Sequence, residues 1–283
     1  MMASNNGQHE TAGRIRYGHR DDDHPEVSIV FSGPCESNAI ELINPRNASK
    51  VGNLMPKTLA CIHTSMVFVN VETMMNEIFK EVMPDVRRIN IVDDSLLADV
   101  MAAGHITPAA AKRMCKYVEA AEQTGADAVL SLCSSLGPAI DAARKLVSIP
   151  VIKIDDAMTE EAARRANRIG VIATVTTTLG PTVDLIRSKA EEMKKQPHIE
   201  PILVDGAFQI LMKGDKEVHD RMVIEAARRL AKEVDLIVLA QASMTRLVPS
   251  LSNIAGLDVL SSPRRAIEYT NRLLNSLPEK RSD

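Results

Sequence analysis

The sequence has few aromatic residues and no long apolar run. Trp is absent from the 283 residues, and aromatic residues make up only 2% of them. This scarcity argues against the aromatic platforms that stack the bases of single-stranded nucleic acid. The net charge of −3 implies no basic face for DNA or RNA. No apolar stretch approaches the roughly 18 residues of a membrane span, and no signal-peptide pattern opens the chain. We therefore expect a cytoplasmic protein with neither nucleic-acid nor membrane partners.

Cysteine is also scarce and shows no metal-ligand spacing. The four cysteines are Cys35, Cys61, Cys115 and Cys133, none in a Cys-x-x-Cys pair, and His63 near Cys61 has no second ligand pair. Zinc-site spacing is therefore absent, as are the glycine-rich dinucleotide and P-loop sequences. We expect reduced thiols and no cofactor.

The first 54 residues differ in composition from the rest of the chain. Asn, His, Arg and Asp dominate up to Pro25, and Pro and Asn interrupt the remainder. We interpret residues 1–54 as a disordered or loosely attached extension. Met55, directly before the first clear strand, is a candidate start of the protein.

From Lys57 onward, predicted strands alternate with predicted helices in two similar rounds. This alternation is typical of parallel sheets with right-handed crossovers. The fold class is therefore α/β, with two Rossmann-like domains whose parallel four-stranded sheets face each other across a cleft. Residues 55–156 plus 262–283 are assigned to the first domain and 157–261 to the second. The predicted strands are 58–63, 86–92, 128–132, 150–154, 169–174, 200–204, 235–240 and 257–260. The predicted helices are 67–82, 96–103, 158–167, 183–195, 207–233 and 263–274, and one that runs to about Gln123 from Thr107-Pro108, an N-cap followed by proline at the first helical position.

The stretch from Ala126 to Pro138 carries the strongest functional signal. A short buried strand ends in Cys133-Ser134-Ser135, after which a helix opens. Ligands of open α/β sheets bind at the carboxyl ends of the strands, where helix N–H groups attract anions. A helix end also favours the thiolate form of cysteine. The alternative is that Cys133 is a small buried core residue without a chemical role.

Other polar residues leave more than one interpretation open. His63 either donates to a substrate or packs at the end of its strand, and His219 is expected on a solvated helix face. Residues 176–182 are predicted to form a polar turn before a helix over 183–195.

Four stretches together resemble the aspartate/glutamate racemase superfamily, which also includes hydantoin racemases, maleate isomerase and arylmalonate decarboxylase. They are residues 60–65 (ACIHTS), 130–135 (LSLCSS), 169–177 (IGVIATVTT) and 239–244 (LAQASM). The resemblance covers about 57 to 276 and implies a homodimer with cofactor-free chemistry. In that chemistry a cysteine on each side of the substrate moves a proton at the carbon next to a carboxylate. Cys133 matches the first cysteine, and Ala242 is assigned to the position of the second.

The resemblance also implies a binding site for a small carboxylate substrate. Its members are the backbone N–H groups of Ser134 and Ser135 and the hydroxyls of Thr64, Ser65, Thr174, Thr177 and Ser243. The alternative role for the threonines and Ser65 is to cap the helices that they precede.

A racemase or epimerase that uses Cys133 for proton transfer is the expected function. Because alanine carries no proton, a one-cysteine decarboxylase or cis-trans isomerase/lyase is the alternative. A non-catalytic protein that binds small acids is a further alternative.

Overall fold

The computed structural model describes residues 56–66 and 73–279. These residues fall in one of the two units into which the chain divides, residues 53–283. The predicted N-terminal extension and candidate start at Met55, and the beginning of the helix predicted from Val67, lie outside the described residues. The domain boundaries at 156 and 262 stay predictions.

Two parallel four-stranded sheets form the framework, which confirms the predicted fold class. In the first sheet the strand order is β2-β1-β3-β4, and in the second it is β6-β5-β7-β8. The strands are β1 (Thr58–His63), β2 (Arg87–Val92), β3 (Ala128–Ser131), β4 (Val151–Lys153), β5 (Arg168–Ala173), β6 (His198–Leu203), β7 (Leu236–Leu239) and β8 (Asp258–Ser261).

Helices cover both faces of each sheet. They are α1 (Thr73–Val82), α2 (Leu96–Ala103), α3 (Pro108–Gln123), α4 (Gly137–Ala143), α5 (Asp156–Arg165), α6 (Thr176–Glu192), α7 (Ala207–Met212), α8 (Lys216–Leu230), α9 (Val248–Ala255) and α10 (Ser262–Ser276). On the first sheet, α1 and α10 pack on one face and α2, α3 and α4 on the other. None of the helices in the described ranges is long and apolar enough to cross a membrane.

Some helix boundaries match the sequence prediction and others do not. Helix α3 begins after Thr107, whose hydroxyl accepts the Ala110 N–H at 3.1 Å, with Pro108 at the first helical position. The predicted polar turn over 176–182 is wrong, because α6 begins at Thr176 and continues through Pro181. Helix α9 was not predicted.

The two sheets repeat each other residue by residue. Strand β1 pairs with β3 from Leu59↔Ala128 to Ile62↔Ser131, and β5 pairs with β7 in the same register, ending at Ile172↔Leu239. In both repeats an aspartate side chain also accepts a hydrogen bond at the N-terminal end of the first strand. Asp127 accepts the first N–H of β1 at 2.7 Å, and Asp235 accepts the first N–H of β5 at 3.1 Å.

Candidate active site

Cys133 lies at the carboxyl end of the first sheet, two residues beyond the last residue of β3. It has an extended backbone and precedes a single 3-10 turn, Ser134–Leu136, that leads into α4. The thiol contacts the Thr64 hydroxyl, which follows β1, and the backbone N–H groups of Ser135 and Leu136. Cys133 is 9% exposed and Thr64 is 2% exposed. The strand ends therefore place the thiol beside three hydrogen-bond donors.

The Cys133 thiol is not the activated thiolate that the sequence suggested. Burial raises the pKa of Cys133 above its usual value of 9.0, and the hydrogen bonds from Thr64 and the backbone lower the pKa by less than burial raises it. The expectation of a helix-stabilised thiolate is therefore wrong, because desolvation outweighs the donors. The neutral thiol is the form present near pH 7, and it can donate a proton.

Gln241 occupies the position in the second repeat that corresponds to Cys133. Leu132 N–H bonds Ile62 C=O and Ala240 N–H bonds Ile172 C=O, so the next residues, Cys133 and Gln241, are counterparts. The assignment of Ala242 to the second cysteine position is therefore wrong by one residue. The conclusion that the second thiol is missing stands, since an amide is neither an acid nor a base near neutral pH.

The hydroxyl partners follow the same symmetry. Gln241 Oε1 accepts the Thr174 backbone N–H at 2.5 Å and the Thr174 hydroxyl at 3.1 Å. Thr174 is thus the counterpart of Thr64, which contacts the Cys133 thiol. Thr174 does not cap α6, whose N-cap residue is Val175.

Ser135 joins the two repeats at the site. Its hydroxyl lies 3.1 Å from the Thr177 hydroxyl and 2.9 Å from the Thr178 hydroxyl, both in the first turn of α6. Ser135 and Thr178 are both buried. The bonds hold the turn after Cys133 against the helix that follows β5.

A small pocket of about 40 Å³ opens at this junction. Cys133, Ser134 and Ser135 line it from the first repeat, and Val175, Thr178, Phe208, Gln241 and Ala242 from the second. Of the other sequence-predicted binders, Thr64, Ser65, Thr174, Thr177 and Ser243 do not line it. The Ser243 hydroxyl is buried and has no hydrogen-bond partner among the described residues.

Asp155 is a residue that the sequence analysis missed. It follows β4, is 3% exposed, and one of its carboxyl oxygens is buried without a hydrogen-bond partner in the described part of the chain. Burial raises its pKa to about 7, although the nearby Ser134 hydroxyl lowers the pKa. The carboxylate in turn raises the pKa of Cys133. An aspartate directly after a strand of the parallel sheet was the signal that could have identified it.

His219 also departs from expectation. It is fully buried, with Nδ1 2.8 Å from an Asp220 carboxylate oxygen, and Arg246 forms an ion pair with Asp220. The solvated position predicted for His219 is therefore wrong, because the 3-10 turn after β7 brings Arg246 against this face of α8.

The two repeated parallel sheets and the pocket lined by residues of both repeats define a class of α/β proteins in which a thiol lies at a strand end beside the pocket. The sequence model for "Asp/Glu/Hydantoin racemase" matches residues 69–270. That match spans more than half of the chain, so the protein belongs to the Asp/Glu/hydantoin racemase family.

Solved structures share this fold at low sequence identity. Glutamate racemase isoform RacE1 from Bacillus anthracis has a TM-score of 0.61 and 16% identity, over 77% of this chain and 82% of that one. Allantoin racemase from Klebsiella pneumoniae has a TM-score of 0.53 and 18% identity, over 77% of this chain and 88% of that one. A mutant of arylmalonate decarboxylase in the sulfate ion associated form has a TM-score of 0.51 and 15% identity, over 80% of this chain and 97% of that one. No curated protein sequence matches this chain.

Proposed function

We propose that this protein is a cofactor-independent enzyme that transfers a proton at the carbon next to a carboxylate, with Cys133 as the group that takes or gives the proton. Racemisation or epimerisation of an amino acid or related small acid is the activity proposed first. The observation that carries the proposal is the contact of the Cys133 thiol with the backbone N–H groups of Ser135 and Leu136 at a pocket shared by both repeats.

The donors around the thiol suit the charge that such a reaction develops. Removing a proton or carbon dioxide next to a carboxylate leaves an enolate, and fixed N–H groups stabilise that negative charge. The Ser134, Ser135 and Thr178 residues lining the pocket supply hydroxyls for the substrate carboxylate. Thr64 is proposed to orient the thiol, and Thr174 to hold Gln241 in place. In decarboxylation the bond to carbon dioxide breaks, the neutral thiol delivers its proton to the enolate carbon, and the thiolate regains a proton from solvent. In racemisation the thiolate fraction of Cys133 first takes the α-proton, and the planar enolate then receives a proton from solvent on its other face.

Decarboxylation is the second candidate, and Gln241 is the observation that favours it. A two-base racemase needs a proton carrier on each side of a planar intermediate, and the position opposite Cys133 holds an amide. A single thiol suffices when loss of carbon dioxide creates the enolate. A homodimer is proposed on the family resemblance alone, and a cytoplasmic location on the reduced thiols expected from the spacing of the cysteines.

The test is proton NMR of small acids incubated with the full-length protein in heavy water. The panel contains aspartate, glutamate, hydantoins, malonates and maleate. We expect deuterium at the α-carbon of a substrate or product, lost in Cys133→Ala and retained in Cys115→Ala, whose thiol lies on α3 away from the pocket. The product separates racemase from decarboxylase. Full turnover by Cys133→Ala would refute the proposal, and binding without any exchange would indicate a binding protein.

A further inference from the structure

Asp155 lies beside Cys133 at the carboxyl end of the first sheet. Strands β3 and β4 pair in register up to Ser131↔Lys153, and the Ile154 N–H extends the ladder by donating to the Ser131 C=O at 2.9 Å. Cys133 and Asp155 each come two residues after that last pair. Partner positions on neighbouring strands are about 5 Å apart, so the register brings the carboxyl next to the thiol.

The side chains of Cys133 and Asp155 belong to the same face of the sheet. Successive residues of a strand alternate between the two faces. Cys133 packs in the hydrophobic cluster that contains Val151, whereas Ile154 packs in the cluster on the opposite face. Asp155 follows Ile154 and is therefore on the face of Cys133. In agreement with this placement, the charge of the Asp155 carboxylate raises the pKa of Cys133.

Asp155 lines a second pocket, which Cys133 does not line. Its volume is about 480 Å³, and we call it the Asp155 pocket; the small pocket beside Cys133 is the Cys133 pocket. Among the described residues, Ser134 alone lines both pockets. The Ser134 hydroxyl contacts the Asp155 carboxyl. The Asp155 pocket therefore begins directly behind the wall of the Cys133 pocket.

Solvent reaches the Asp155 pocket more readily than it reaches the thiol. The side chains of Asp184 and Glu192, which line the Asp155 pocket, are 76% and 60% exposed, whereas Cys133 is 9% exposed. The Cys133 pocket measures about 40 Å³, which is room for roughly three waters that a bound substrate would displace. The side of Asp155 is therefore the route by which protons can pass between the thiol and solvent while a substrate is bound.

The charged groups around Asp155 leave its carboxyl free to exchange a proton. The other charged residues that line the pocket are Asp141, Arg144, Lys153, Asp156, Asp184, Lys189 and Glu192. Each cation among them forms an ion pair with one of these anions. One oxygen of the Asp155 carboxyl is buried without a hydrogen-bond partner in the described part of the chain. Burial raises the pKa of Asp155 to about 7, so the acid and the carboxylate are both present near neutral pH.

We infer that Asp155 passes protons between Cys133 and solvent in the Asp155 pocket, and that it acts on the substrate only through Cys133. After decarboxylation, the O–H bond of the Asp155 carboxyl breaks as its proton moves to the thiolate sulfur, and solvent returns a proton to the carboxylate. In racemisation, the proton that Cys133 takes from the substrate moves the opposite way, from the thiol to the Asp155 carboxylate and on to solvent. The inference rests on the proposed function, because it needs a thiol that gains and loses protons during turnover.

The first test follows turnover of a substrate found in the heavy-water panel while the imidazole concentration is raised at constant pH and ionic strength. Wild-type turnover should be independent of imidazole, because Asp155 already supplies the protons. In Asp155→Asn the amide carries no proton, so kcat should fall about tenfold or more with little change in KM. Imidazole, which carries protons itself, should then restore kcat in proportion to its concentration. A defect that is only structural would not respond in this way.

Two further variants complete this test. Asp184→Asn is the matched control, because Asp184 lines the same pocket at an exposed position, and its kcat should equal that of the wild type. Asp155→Ala leaves room for imidazole and should show the same loss and recovery as Asp155→Asn. Thermal unfolding confirms that each variant is folded.

The second test needs no turnover and measures alkylation of Cys133 by iodoacetamide at pH 8, by peptide mass spectrometry. Without a carboxylate beside it the thiol ionises more readily, so Asp155→Asn should be alkylated roughly threefold faster or more than the wild type. Asp184→Asn should be alkylated at the wild-type rate.

Three results would each overturn the inference while leaving Cys133 in its proposed role. They are an unchanged kcat in Asp155→Asn, a reduced kcat that imidazole does not restore, and an unchanged rate of alkylation. Absence of deuterium exchange in the wild-type protein would instead refute the proposed function and the proton relay with it. The alkylation rates would then still show whether the carboxylate acts on the thiol, so the two failures are distinguishable.

Discussion

The hydroxyl of Ser135, two residues after Cys133, lies 2.9 Å from the hydroxyl of Thr178 in the first turn of α6. Both residues are nearly inaccessible, so the bond forms away from competing water. The bond connects the turn that follows Cys133 in the first repeat to α6, the helix that follows β5 in the second repeat. The shape of the pocket thus depends on a contact between the repeats.

This contact should appear as a coupling energy. The double-mutant cycle of Ser135→Ala and Thr178→Val is expected to show about 1 kcal/mol of coupling in the free energy of unfolding, measured by urea denaturation. The control cycle pairs Ser135→Ala with Thr270→Val, whose hydroxyl bonds the Ala266 carbonyl on α10. Additivity in both cycles would show that the bond contributes nothing.

The Thr64 hydroxyl should set the reactivity of Cys133. Because its hydrogen bond lowers the pKa of the thiol, Thr64→Val is expected to raise that pKa. Alkylation of Cys133 by iodoacetamide at pH 8, followed by peptide mass spectrometry, should then slow by roughly threefold or more. Thr174→Val is the control, since Thr174 bonds Gln241 instead. An equal rate in the two variants would contradict the assigned contact.

Asp155 should give the protein a stability that falls as pH rises. Its pKa of about 7 in the folded protein exceeds the usual value of 3.8. Between those values the folded state holds a proton that the unfolded state has released. Stability conferred by the protonated carboxyl is therefore lost as pH rises from about 4 toward 7, by at most about 1.4 kcal/mol per pH unit.

Asp155→Asn removes this titration. Relative to the wild type, the variant should be more stable at pH 8 than at pH 5, as measured by urea denaturation at both values. Asp184→Asn, at an exposed position on α6, is the control and should show a difference that does not change with pH. A pH-independent difference for Asp155→Asn would mean that the carboxyl titrates normally.

Gln241→Cys should place a second thiol opposite the first. If racemisation is limited by the missing proton carrier, the rate of racemisation of a substrate found in the heavy-water panel should rise at least several-fold. The variant also removes the acceptor of the buried Thr174 N–H, which should lower the free energy of unfolding by about 1–3 kcal/mol. Gln241→Leu lacks the same acceptor and supplies no thiol. An equal rate in the two variants would exclude a role for this position in proton transfer.

The sequence predicted the framework because hydrophobic periodicity and turn chemistry are local signals. Eight strands alternating with helices were sufficient to predict two parallel sheets, and Thr107-Pro108 marked the start of α3. Residues 176–182 were misassigned because glycine, proline and four threonines are read as a turn. The structure has a helix at these residues instead of a turn, and Thr177 and Thr178 in its first turn form hydrogen bonds with Ser135.

The site was less predictable than the fold because it depends on the register after each strand. The apolar pattern does not say at which residue a strand ends. For this reason Ala242 was assigned to the second cysteine position, which Gln241 occupies. The burial of His219 results from packing between distant segments and carries no local signal. Asp155 had one local signal, its place directly after a strand, but its burial also depends on distant segments.

The residue-by-residue repeat of the two sheets has a stereochemical consequence. The backbone around the pocket is close to symmetric, yet Cys133 stands on one side and Gln241 on the other. A planar intermediate between them would receive its proton only from the side of Cys133. A substituted malonate with two different side groups should therefore yield a single enantiomer, so the absolute configuration of the product would report the side on which the thiol lies.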